Sequence, residues 1–94
     1  AVSATQLLFI NFGEKETAYC LPIAKIARDA GIRTEVYPDA AKMKKQMSYA
    51  NAKHVAFVAL AGENEIAQGK ITLKNMITGE QKLIDSYNLL QEFK

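Results

Sequence analysis

From Val55 to Leu60 the chain is apolar without a break, and the residues just after that run are as informative as the run itself. Residues 54 to 81 read HVAFVALAGENEIAQGKITLKNMITGEQ. The apolar stretch is far shorter than the roughly 20 residues a bilayer span needs, and it is too continuous for the one-sided stripe of a surface helix. It fits a strand buried on both faces, which belongs in the middle of a sheet covered by helices on two sides. Gly62 ends the run, Glu63 and Glu65 come next, Gly69 closes a turn, and Ile71 and Leu73 then alternate with Lys70, Thr72 and Lys74. That alternation is the mark of a strand with one face inward and one in water. The acidic pair falls at the carboxyl end of the buried strand, the edge over which open α/β sheets tend to hold ligands.

The remaining elements can be read around this centre. Residues 6 to 12, QLLFINF, are apolar and β-prone and read as a first strand ending at Gly13. From about Lys15 to Ala30 a helical stripe of Tyr19, Ile23, Ile26, Ala27 and Ala30 predicts a helix, with Gly31 suited to its C′ position. Pro22 lies inside that stripe and predicts a kink or a late start, because proline removes one helical hydrogen bond. Ile32 to Tyr37 read as a second strand stopped by Pro38, after which Asp39 can cap a second helix with Met43, Met47 and Ala50 inward. The third strand opens at His54. A tight turn at Thr78 and Gly79 returns the chain as a fifth strand from Gln81 to Ile84. Asp85 or Ser86 then starts a closing helix with Tyr87, Leu90 and Phe93 inward. The order βαβαβ-β-β-α predicts an α/β fold, a mixed five-stranded sheet flanked by about three helices, parallel at its beginning and antiparallel at its end.

Ninety-four residues suffice for one domain with a single core and leave no room for a second catalytic lobe. Residues 1 to 5 are small and polar, like the end of a linker, and residues 6 to 94 are taken as the domain. The start lacks the basic leader of a secretory signal, and no stretch is long enough to span a membrane, so a cytoplasmic setting is expected. Cys20, the single cysteine, has no partner for a disulfide and no companion at metal-ligand spacing, and reads as a small core residue.

Enzymatic readings find little support. Gly13 stands alone after the first strand, so no glycine-rich phosphate loop is present, and His54 is the only histidine. Glu63 and Glu65 can in principle serve as an acid and base or hold a cation, but on a turn such a pair is more often simply solvated. A nucleic-acid surface uses more of the features together. The net charge is only +2, yet Lys42, Lys44, Lys45 and Lys53 fall in a segment from Ala40 to Gly62 that has no carboxylate. Lys42, Lys45, Gln46, Tyr49 and Lys53 are helical neighbours at three- and four-residue spacing. Single-stranded RNA is held by basic contacts to phosphate, by stacking on aromatic rings and by polar groups on base edges. Here the lysines offer phosphate contacts, Tyr49 a stacking face, Glu65 an acceptor for base hydrogens and Lys74 a donor. The alternative is a solvated helix face, with Gln46 serving only local backbone groups.

Lys44-Lys45-Gln46, Tyr49-Ala50, Gly62-Glu63-x-Glu65-x-Ala67-x-Gly69, Lys74 and Thr78-Gly79-Glu80-Gln81 closely resemble the C-terminal anticodon-binding domain of the histidyl-tRNA synthetases. The likeness is strongest over residues 31 to 84. It implies the fold shared by the class II synthetases for histidine, threonine, proline and glycine, with anticodon bases bound over sheet and loops. It also implies tRNA as partner, no membrane, a homodimeric parent, and no cofactor in this domain, since ATP and Mg would be held by a separate catalytic domain that attaches histidine. By the same resemblance Glu65 matches a base-contacting glutamate, Lys74 a basic position often occupied by arginine, and the loop Asn11 to Glu14 a region near the RNA. The competing expectations are a sister synthetase's domain, for threonine, proline or glycine, and a same-fold protein-interaction module that ignores RNA.

Overall fold

The computed structural model describes residues 5–93; the linker reading of residues 1 to 5 falls, for residues 1 to 4, outside the described residues. A single five-stranded sheet runs in the order β2-β1-β3-β4-β5, built from β1 (Leu7–Phe9), β2 (Thr34–Val36), β3 (Phe57–Leu60), β4 (Lys70–Asn75) and β5 (Gln81–Asp85). β1 pairs in parallel with β2 and β3, while β3–β4 and β4–β5 are antiparallel. The mixed sheet agrees with the sequence expectation. Helices α1 (Glu14–Asp29) and α2 (Met43–Ala52) are the two crossovers of its parallel half.

Central position explains the apolar runs. Leu7, Leu8, Phe9 and Ile10 are each at most 1% exposed, because side chains alternate between two covered faces. Full burial of each such side chain contributes about 1.5–3 kcal/mol. On one face Leu7, Phe9, Ala59, Ile71 and Leu73 meet Cys20, Ile23, Ala24 and Ala27 of α1. On the other, Leu8, Ile10, Val55 and Val58 meet Ala50 of α2 and Tyr37, with Met47, Tyr49 and Leu60 packed around them.

Several local expectations change. α1 starts at Glu14 and continues through Pro22, so proline does not delay it; Pro22 lies on the exposed side of the helix. Gly31 does come directly after the helix end, at φ 88°. α2 begins at Met43 with Lys42 at its N-cap and no side-chain cap, so Asp39 does not play that part. Gln46, not Met43, takes the inward position, and Met43 is 38% exposed. His54 opens no strand. It sits just past α2 at φ 54°, where His54 N–H donates to Asn51 O and Val55 N–H to Ala50 O, closing the helix end.

The predicted turn from Gly62 to Gly69 is a short helix, α3 (Glu63–Gln68), closed by Gly69 at φ 69°. A closing helix exists too, but Ser86–Phe93 is a 3-10 helix. Its three-residue repeat puts Ser86 and Leu89 inward and leaves Tyr87 67% exposed, where an α-helical count places Tyr87 inward. Phe93 packs on Phe57 with ring centroids 4.9 Å apart.

Candidate nucleic-acid interface

The carboxyl ends of β1 and β3, the start of α1, the lead-in to α2 and the start of α3 gather at one edge of the sheet, as the crossover connections require. A buried amide network ties three of these segments together. The Gln46 side chain, fully buried, accepts from Asn11 N–H at 2.8 Å and donates from Nε2 to Asn11 O at 2.8 Å and Ala41 O at 2.7 Å. Asn11 Nδ2 donates to Tyr37 O at 2.9 Å, and its Oδ1 accepts from Gly13 N–H at 2.9 Å. In effect Gln46 acts as one more strand residue beside the end of β1. The expectation that the side chains of Gln46 and Asn11 touch RNA is therefore corrected: both are internal framework, because buried main-chain groups need these partners more than solvent does.

Glu65 also has internal work. Its Oε1 accepts from Gly62 N–H at 2.9 Å, capping the start of α3 from its first turn, and its Oε2 accepts from the Thr72 hydroxyl at 3.1 Å. With Glu63 it stands in the first turn of α3, where negative charge complements the helix dipole. That accounts for the acidic pair. Glu65 is half-buried as a residue, and both of its carboxylate oxygens are engaged.

The lysines divide between two flanks of α2. Lys42, Lys44, Lys45 and Lys53 are all exposed, and none forms an ion pair among the described residues. Lys42, Lys45 and Lys53 lie along the Tyr49 flank. Tyr49 turns toward β2: its hydroxyl donates to Glu35 Oε1 at 2.8 Å and its ring meets Tyr37 edge-on at 5.4 Å. The bond to Glu35 holds the Tyr49 phenol above its ordinary pKa, with desolvation adding to the effect. Lys53 Nζ stands 5.8 Å from the Tyr49 ring centre. Helical geometry places Lys44 on the opposite flank, with Met47, facing β4.

Lys74 lies across α2 from Tyr49. In β4, Ile71 and Leu73 face the α1 side, so Thr72 and Lys74 face the α2 side. The α2 packing cluster takes Met76, which follows β4 directly, but no side chain from β4 or β5, and on this half of the sheet face Thr72 and Lys74 are half-buried. Across it Leu60, Thr72 and Leu83 stand in one register row and Val58, Lys74 and Gln81 in the next. Leu83 is 49% exposed. The residues read as one patch thus occupy two surfaces, Lys42, Lys45, Tyr49 and Lys53 on one and Glu65 and Lys74 on the other, with Lys44 between. Sequence reasoning missed Thr72 and Leu83. Alternation placed Thr72 on the same face as Lys74, but nothing in the order of residues says how far α2 extends over the sheet.

Cys20 is buried against α1's own core, and desolvation, with Glu16 nearby, raises its thiol pKa to about 11, consistent with the core role read for it. No group of three or more His, Cys, Asp or Glu side chains is placed to hold a metal among the described residues. No helix among them is long and apolar enough to cross a membrane.

Fold and surface together define a class: a small mixed-sheet α/β domain with a partly open sheet face bordered by a lysine-bearing helix. The model of the anticodon binding domain family matches residues 6–94, and the chain belongs to that family. It is 62% identical over 94 residues to a histidine–tRNA ligase of Phocaeicola vulgatus, covering all of this chain and 21% of that protein. Against a histidine–tRNA ligase of Bacteroides fragilis it is 62% identical over 90 residues, covering 96% of the chain and 20% of the relative. The chain spans about a fifth of the length of the curated relatives it matches. The crystal structure of histidyl-tRNA synthetase from Nostoc sp. PCC 7120 superposes with a TM-score of 0.90 at 23% identity, covering 97% of this chain and 22% of that one, a likeness of fold.

Proposed function

We propose that this chain is the part of a histidine–tRNA ligase that recognises the anticodon loop of its tRNA. What carries the reading is identity of 62% along the whole chain to a histidine–tRNA ligase, joined to the family match over residues 6–94. The geometry supports it with a partly open sheet face that carries Thr72, Lys74 and Leu83 and is bordered by exposed lysines. On this reading ATP, Mg and histidine are handled by a catalytic domain outside these residues, and this domain needs no cofactor of its own. The ligase works as a homodimer in the cytoplasm.

Binding of the chain to an RNA hairpin carrying a histidine anticodon, compared with a hairpin of the same stem and an unrelated loop, tests the proposal. Tighter binding to the first is expected, with affinity falling as salt rises. Equal affinity for both hairpins, or none at low salt, would reject anticodon recognition in favour of a protein-interaction module.

A further inference from the structure

We infer that Thr72 is a specificity-determining residue of the RNA surface, presenting a hydrogen-bond acceptor to the ring imino N–H of an unpaired base. This rests on the RNA reading above and goes beyond it by naming the group that reads and the polarity it reads. A carboxylate can only accept, so the 3.1 Å contact with Glu65 Oε2 consumes the single hydroxyl hydrogen of Thr72. What the hydroxyl keeps for a ligand is its lone-pair capacity. Glu65 is itself held in place, because its other oxygen is fixed by Gly62 N–H at 2.9 Å.

The surroundings suit a base. Leu60 and Leu83 flank Thr72 in register on the neighbouring strands, about 5 Å away on each side, and give an apolar floor for a ring. Lys74 lies two residues further along the same face, within about 7 Å, where a backbone phosphate can meet its charge. Leu60 lies at the margin of the α2 cluster, which takes no side chain from β4 or β5, and Leu83 is 49% exposed. Glu65 is thus a positioning residue that acts through Thr72. The matching base edge is an imino N–H, as in uracil or guanine; cytosine and adenine offer a ring-nitrogen lone pair at that place and are disfavoured.

The polarity can be inverted by one substitution. In Glu65→Gln the carbonyl oxygen is retained by Gly62 N–H, so the amide nitrogen faces Thr72 and donates to it, freeing the hydroxyl hydrogen to point outward. The experiment measures binding of the chain to a hairpin with a histidine anticodon and to variants in which each anticodon guanine or uracil is exchanged for adenine or cytosine. Thr72→Val, similar in shape and suited to a strand, is expected to lose about 10-fold of the discrimination at one anticodon position. Thr72→Ser should keep it, Glu65→Gln should reduce or reverse it at that same position, and the salt slope should be unchanged in all three. Circular dichroism and melting confirm that each variant is folded. Full discrimination by Thr72→Val, or unchanged preference in Glu65→Gln, would overturn the assignment while leaving RNA binding intact. Failure of the unsubstituted chain to distinguish any hairpin would remove the RNA reading and this inference with it.

Discussion

Gln46 shows how residue type alone misleads about role. Beside three lysines on a predicted helix it reads as a surface amide, yet it is fully buried and satisfies both main-chain groups of Asn11. Gln46→Ala leaves buried donors and acceptors without partners and opens a cavity, so it should cost about 3 kcal/mol. A fall in the denaturation midpoint at unchanged m-value checks this; a change under about 0.5 kcal/mol would show that water replaces the amide. Tyr49 offers a spectroscopic check on its own contact. Glu35 holds the neutral phenol, so the folded pKa lies above the ordinary 10.0. The stabilisation is therefore complete below about pH 10 and is lost as pH climbs from the unfolded value through the folded one. Following phenolate absorbance, Tyr49→Phe should remove a late-titrating phase. Tyr49 was legible as an aromatic on the lysine side of a helix; its commitment to Glu35 and Tyr37 was not, because those partners lie at least 12 residues away in sequence.

The elements themselves were read well where a long periodic signal existed and poorly at their ends. α1 and the β3–β4–β5 succession are set by apolar spacing, alternation and turn residues. The short α3 hid inside a stretch bounded by two glycines, since six residues carry less than two helical turns of pattern. The closing helix was placed correctly, but its three-residue winding moved Leu89 inward and Tyr87 out. At the end of α2 the residue in left-handed conformation is His54, where glycine is favoured because a Cβ crowds the following carbonyl. His54→Gly should raise stability by about 1 kcal/mol, seen as a higher melting temperature, whereas His54→Ala should not. Equal melting temperatures for all three forms would mean that the left-handed turn is absent in solution.

Across the whole molecule, the basic segment is real as a charge pattern but is shared between two flanks of one helix. Replacing Lys42, Lys44 and Lys45 together by alanine should weaken hairpin binding roughly evenly across anticodons. It should also lower the slope of log affinity against log salt by about 2, if all three approach phosphate. A slope reduced by only about 0.7 would point to a single lysine, and Lys44 is the one on the flank facing β4. The loss should differ in kind from that of Thr72→Val, which acts on discrimination and not on slope.

The order of apolar, glycine and charged residues determined the layer architecture, the parallel-then-antiparallel sheet and the family resemblance, because these depend on local periodicity and on motifs contiguous in the chain. Which candidates share a surface was decided only by tertiary packing. The α2 cluster takes side chains from β1 and β3 and none from β4 or β5, and burial of unpaired main-chain groups draws Gln46, Asn11 and one oxygen of Glu65 inward. Coverage and burial arise between segments distant in sequence, and no local pattern encodes them.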